Sequence, residues 1–167
     1  MLTLQEKQAV VAEVSEIASR AHSLVAAEYR GLTVAQLTAL REKARAGDVY
    51  LRVIKNSLAK RALANSNFES INDHLVGPII LAFSMDEEDP VSGVRAIHEF
   101  LKDKANEKMA VKAIVHDGAL YEGSELERIA SLPTKDQAIS MFLAVLKAPV
   151  QKLAATLAAV RDQKEAA

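Results

Sequence analysis

A chain of 167 residues with 50% hydrophobic content can build one compact core plus an appendage, and its 21 Lys/Arg against 22 Asp/Glu leave a net charge of −1. The absence of Cys excludes disulfides, thiolate metal sites and cysteine nucleophiles, and 4% aromatics with no Trp exclude nucleic-acid recognition by rows of stacked rings. The neutrality is only an average: residues 1–29 carry two Lys/Arg against four Asp/Glu, residues 30–63 eight against two, and residues 64–167 eleven against sixteen.

One basic block inside a near-neutral chain suits a defined patch for RNA or another acidic partner rather than general polyanion binding. Polar residues interrupt every apolar run from Leu2 to Ala27, so the N-terminus lacks a signal-peptide layout. No run is expected to reach membrane-spanning length. A soluble, cytoplasmic chain with no membrane partner is therefore expected.

Leu4 to Arg20 carries Val10, Val11, Val14, Ile17 and Ala18 at helical spacing, which predicts an amphipathic first helix. Ser23 to Tyr29 reads as a strand that ends in Arg30-Gly31-Leu32, with Gly31 permitting the turn. Thr33 caps a predicted helix running to about Ala46, with Val34, Leu37 and Leu40 inward and Arg41, Lys43 and Arg45 outward. Gly47-Asp48 stops it.

Val49 to Ile54 reads as a buried strand, followed by a helix from Ser57, as its N-cap, to about Ala64. Four cations, Arg52, Lys55, Lys60 and Arg61, fall within the ten residues 52–61. Lys55 and Asn56 occupy a strand-to-helix corner, where backbone N–H groups without intrahelical partners favour an anion such as phosphate. Ordinary surface charge on a solvated helix would produce the same pattern.

Asn65-Ser66-Asn67 marks a turn, Phe68 to Leu75 a short helix, and Ile79 to Phe83, opened by Gly77-Pro78, a strand buried on both faces. After the acidic loop Met85 to Asp89, Asp89 as cap and Pro90 at the first helical position predict a helix to about Asp103 carrying Val94, Ile97, Phe100 and Leu101. Met109 to His116 reads as a fourth strand, Tyr121-Glu122-Gly123 as a turn, and Ser124 to Ala130 as a short helix with Glu127 placed for a capping box. Strands separated by helices predict an α/β (α+β) globular domain, a small sheet packed by helices, over residues 1–132.

Residues 133–167 contain neither a strand pattern nor Gly, and predict an extended C-terminal helix capped by Thr134 and running to about Arg161. Pro149 should kink or break it near Leu146 to Ala148. Ile139, Phe142 and Leu146 are matched eleven positions later by Val150, Leu153 and Leu157, close to three helical turns, so both triplets share a face of a straight helix. Met141, Leu143 and Val145 make the first half apolar on nearly every side. Burying three such anchors contributes about 5–9 kcal/mol gross per segment before the cost of association. Two docking segments for copies of one partner, or one helix folded back on the domain, fit this pattern.

No catalytic or cofactor chemistry stands out. His22, His74, His98 and His116 are scattered, without metal-ligand spacing. The six glycines form no phosphate loop, and Asp86 to Asp89 lacks the alternating ligands of a calcium loop. No enzyme activity, cofactor or metal is expected. An RNA-binding adaptor, a free RNA regulator that dimerises through its tail, and a small α/β enzyme with a helical lid remain open on the residues alone.

Tyr29-Arg30-Gly31-Leu32, Leu40-Arg41, Val53 to Ala62, Val76-Gly77-Pro78, Ala82-Phe83-Ser84 and Leu132-Pro133-Thr134, in this order along almost the whole chain, resemble the bacterial ribosomal protein L-ten family. The resemblance implies a structural constituent of the large ribosomal subunit at the base of its stalk. Residues 1–132 would bind 23S rRNA beside ribosomal protein L-eleven. The C-terminal helix would carry dimers of the acidic stalk protein L-seven/L-twelve, which recruit translational GTPases. Repression of the protein's own mRNA is a further family property. By matching position, Arg30, Gly31, Lys55, Asn56, Ser57 and Arg61 become the RNA-facing residues, and Arg52 and Lys60 of the same basic stretch join them. Ile139, Phe142, Leu143, Leu146, Val150, Leu153 and Leu157 become the partner-facing ones, with room for two dimers.

Overall fold

The structure, a computed structural model, describes residues 3–64, 66–103, 106 and 108–165. It divides into two compact units, one ending at Leu132 and the other beginning at Pro133. The first contains α1 (Leu4–Arg20), β1 (Ser23–Glu28), α2 (Val34–Ala46), β2 (Val49–Val53), α3 (Asn56–Leu63), a 3-10 turn at Glu69–His74 and β3 (Ile79–Ser84). It continues with α4 (Ser92–Leu101), β4 (Ala110–His116), β5 (Ala119–Glu122), a 3-10 turn at Gly123–Glu125 and α5 (Leu126–Ala130). The second unit is α6 (Lys135–Glu165).

The five strands form one antiparallel sheet in the order β2-β3-β1-β4-β5. Because side chains alternate along a strand, β1 sends Leu24 and Ala26 into a core shared with α1 and α3, and Val25 and Ala27 into a second core shared with α2, α4 and α5. The sheet is therefore sandwiched between helices, as expected for an α/β domain. Every residue of β3 is buried, in keeping with its unbroken apolar run.

Thr-x-x-Glu/Gln sequences start three of the helices. Thr3 N–H donates to Glu6 Oε2 (2.7 Å) and Glu6 N–H to Thr3 Oγ1 (3.3 Å), and Thr33 with Gln36 repeats the exchange at 2.7 and 3.3 Å. Thr134 and Gln137 do the same at 3.2 and 3.4 Å at the head of α6. Each box satisfies two N–H groups that lack helical partners.

Several local expectations are corrected. Val34 is 78% exposed, and only Leu40 and Ala44 of this helix are buried. β2 is an edge strand and mostly half-buried, since it pairs only with β3. Ser57 does not cap α3: the cap is Lys55, without a side-chain hydrogen bond, and Ser57 is exposed within the first turn. Of the turn at Asn65-Ser66-Asn67, Asn65 lies outside the described residues. The helix expected over Phe68 to Leu75 is the 3-10 turn.

α4 starts at Ser92 rather than Pro90, because Asp89 is drawn away to Arg95, with which it forms an ion pair. A buried hydroxyl pair fixes this entry: Ser23 and Ser84 share a hydrogen bond (2.8 Å), Ser23 donates to Pro90 O (2.7 Å), and Gly93 N–H donates to Ser84 Oγ (2.9 Å). Ala119–Glu122 is a fifth strand, not a turn; the reversal lies at Asp117 (φ 51°) and Gly118 (φ 75°). No side chain caps α5, so the box at Glu127 does not form.

Pro149 lies inside α6 and the helix runs through it without a break. At 1.5 Å per residue its 31 residues extend about 46 Å. The expectation that no apolar run reaches membrane length is corrected, since α6, counted as one continuous helix, is long and apolar enough to cross a bilayer. Lys147 and Lys152 lie within its apolar part, however, and each would cost about 2.5–3.5 kcal/mol at a bilayer centre.

Candidate nucleic-acid interface and helical platform

Antiparallel pairing brings the end of β1, the end of β2 and the start of β3 to one edge of the domain: Glu28 faces Ile79, and Val53 faces Ile80. Three stretches far apart in sequence meet there. Tyr29 N–H donates to Pro78 O (3.3 Å), and Asn56 Nδ2 donates to Gly77 O (2.9 Å). Between them lies a cleft of about 440 Å³ lined by Tyr29, Lys55, Asn56, Ser57, Gly77 and Pro78, among others.

Lys55, Lys60 and Arg61 are exposed and, among the described residues, join no ion pair. The apolar side of α3, Leu58, Ala59, Ala62 and Leu63, is buried against the sheet, so the cations are held outward by a packed helix. With no side chain capping it, the helix start leaves N–H groups of its first turn open beside Lys55, an arrangement that favours an anion. Gly31 adopts φ +86°, and a Cβ there would meet Lys108 Cδ at 3.2 Å, so the turn after β1 needs glycine both for its backbone and for the lysine stem laid across it.

Arg52 stands apart from the other cations. It is half-buried, ion-paired with Glu13 of α1, and donates to Tyr50 Oη (2.9 Å), which itself donates to Glu13 Oε1 (2.8 Å). Its hydrogen bond to Glu13, then that to Tyr50, hold the guanidinium even more firmly charged than usual. The same Arg52 and Tyr50 contacts lower the Glu13 carboxyl below its ordinary range, and burial followed by the Glu13 contact raises Tyr50. This cluster ties α1 to the edge strand, and Arg52 is engaged there rather than open to solvent.

Lys108, Lys112 and Glu28 escaped the sequence reading. They are single charges scattered along the chain, and only the pairing of β4 with β1 carries them to the basic edge.

On α6, Ile139, Phe142, Leu143, Leu146, Val150, Leu153 and Leu157 are all exposed by half or more. In one continuous helix their steps of three and four place them along one stripe. Val160 continues the stripe, Met141 and Val145 add apolar surface outside it, and no residue of α6 is buried. Among the described residues no group of three or more His, Asp or Glu could hold a metal ion.

Two family models match separate parts of the chain. Residues 2–102 match the family described as Ribosomal protein L10, and residues 132–167 match Ribosomal protein uL10 C-terminal region. The chain is 52% identical to a protein named large ribosomal subunit protein uL10 from Methylococcus capsulatus, over 99% of both chains. It is also 52% identical to the protein of that name from Dichelobacter nodosus, over 99% of both, and 50% identical to the one from Thioalkalivibrio sulfidiphilus, over 99% of this chain and 98% of the relative. On this likeness, which runs through both units, the chain belongs to the ribosomal protein L10 family.

Proposed function

We propose that the chain forms the base of the large-subunit stalk, holding 23S rRNA through the edge built by Arg30, Gly31, Lys55, Asn56, Ser57, Lys60 and Arg61 and collecting dimers of the stalk protein L-seven/L-twelve on α6. As a member of its family it is a structural component of the large ribosomal subunit in the cytoplasm, not an enzyme. The observation that carries the RNA reading is the convergence of three sequence-distant segments on one cleft lined by Lys55, at the start of the helix that carries Lys60 and Arg61; among the described residues none of these three cations joins an ion pair. Such a surface grips phosphates and releases their counterions, so affinity falls steeply with salt.

The chain's few aromatics leave recognition to phosphate contacts and shape. The same surface serves a structured leader of the chain's own mRNA if that leader copies the rRNA site. Ribosomal protein L-eleven is the neighbour placed beside this domain. The stripe on α6 fits partner helices better than lipid, because Lys147 and Lys152 occupy other faces of the same helix and leave only one side apolar enough to dock. Two serial triplets accommodate two dimers, which bring translational GTPases to the ribosome.

The test is Lys55→Ala combined with Arg61→Ala. Both side chains are exposed and, among the described residues, unpaired, so the fold should be untouched. Loss of two phosphate contacts is expected to weaken binding to a 23S rRNA fragment about 10- to 100-fold and to lower the salt slope by about two, while stalk-protein binding stays intact. Unchanged RNA affinity in a filter-binding series would refute the assignment.

A further inference from the structure

The edge that presents the unpaired cations also holds a carboxylate, which a surface built only for positive potential would not keep. Glu28 ends β1 with its side chain 19% exposed. Its Oε2 lies 3.0 Å from Lys112 Nζ and its Oε1 3.7 Å from Arg30 Nε. The loop that opens β3 flanks it, since a Cβ on Gly77 would stand 3.9 Å from the same Oε1.

Lys112 reaches this position through an irregularity in the ladder. Ala26 pairs with Ala113 but Ala27 pairs with Val111, so Lys112 is the extra residue of a β-bulge. A bulge leaves one residue unpaired and re-aims its side chain. Here the ammonium is brought onto the last residue of the neighbouring strand.

We propose that Glu28 is a positioning residue that holds Arg30 and Lys112 side by side as a clamp for one RNA phosphate, next to the cleft lined by Lys55 and Gly77. The inference rests on reading this edge as an RNA interface. Glu28 meets Arg30 at Nε, which leaves the two Nη groups and their four N–H donors for an incoming phosphate. Lys112 spends one of three donors on the carboxylate. Both heads remain accessible, with Arg30 78% and Lys112 41% exposed. Two long side chains held in advance lose less freedom on binding than two free ones, and that gain offsets the charge that Glu28 subtracts.

The two effects of Glu28 have opposite signs, which makes the proposal testable. Removing a negative charge from a phosphate-binding surface tightens RNA binding on Coulombic grounds alone. In the full chain, with a 23S rRNA fragment as probe, Glu28→Gln is instead expected to weaken binding about three- to tenfold, the loss of one ordered contact, and to lower the salt slope by about one. On a background of Arg30→Met with Lys112→Met it should weaken nothing further, because the groups it positions are gone.

Unchanged or tighter binding by Glu28→Gln, while Lys55→Ala with Arg61→Ala still weakens it, overturns the clamp and leaves the interface standing. Equal weakening in the double-Met background also overturns it, by making the effect one of fold. If the Lys55 and Arg61 variant binds normally, the interface reading itself fails and the clamp falls with it. Should Glu28→Gln lose its cooperative melting transition, the exposed Lys112→Met carries the test: a three- to tenfold loss supports the clamp, and wild-type affinity overturns it.

Discussion

Residue by residue, charges in this domain divide into those spent on the fold and those kept for a partner. Arg52 belongs to the first group, bound by Glu13 and Tyr50, whereas Lys55, Lys60 and Arg61, a few positions on, are unpaired among the described residues. Nothing in the string Arg52 to Arg61 separates them, because the carboxylate that captures Arg52 comes from α1, 39 positions earlier. The capture has a pH signature. A carboxyl lowered in the fold adds stability above its unfolded pKa, and that stability disappears as pH falls through the folded value. Glu13→Gln should therefore cost about 0.5 kcal/mol at pH 7, a small figure because the carboxylate is half exposed, and almost nothing at pH 2. Urea titrations of both proteins at the two pH values measure it; a difference that persists in acid would show that the pair does not act through ionisation.

Among the elements, those formed by one local rule were legible and those set by competition were not. α1, α2 and the start of α6 announce themselves by Thr-x-x-Glu/Gln followed by apolar residues at helical spacing, and β3 by its unbroken apolar run. β5 was missed because its four residues are mostly exposed and show no clear alternation, while the informative signal was the preceding pair Asp117-Gly118, a two-residue hairpin reversal with both φ values positive. Gly118→Ala tests that reversal cleanly, because a Cβ there meets nothing within 4 Å. A loss of about 1–2 kcal/mol in chemical denaturation would therefore be backbone strain alone. Pro149 misled in the opposite direction: a proline in a helix removes one hydrogen bond, yet the turns on either side can remain helical, and α6 continues to Glu165. Continuity keeps the two triplets of α6 on one stripe without making them one site. Phe142→Asp, in the first triplet, is expected to remove about half of the bound stalk protein in native mass spectrometry. Full occupancy would refute two serial segments.

At the scale of the whole molecule, the two units rely on different physics. The first buries its apolar residues in two cores and presents cations at one edge, whereas α6 buries nothing and exposes Phe142, Leu146, Leu153 and other large apolar side chains. The family resemblance nominated candidate RNA-facing residues, but their spatial grouping needed the sheet, because antiparallel pairing alone brings residues near 30, 55, 77 and 112 to one edge. Opposite salt responses follow from the difference. RNA binding should weaken steeply between 50 and 200 mM salt through counterion uptake, while apolar burial on α6 changes little over that range. Deleting residues 133–167 separates the two without disturbing either core, since among the described residues no core residue lies beyond Ala130. The shortened chain is expected to melt cooperatively and bind the 23S rRNA fragment within about twofold of the full chain, with the same salt slope, because every proposed phosphate contact is retained. It should recover no L-seven/L-twelve on co-expression, where the full chain recovers about two dimers. Retention of those dimers by residues 1–132 would move the docking surface off α6 and onto the domain.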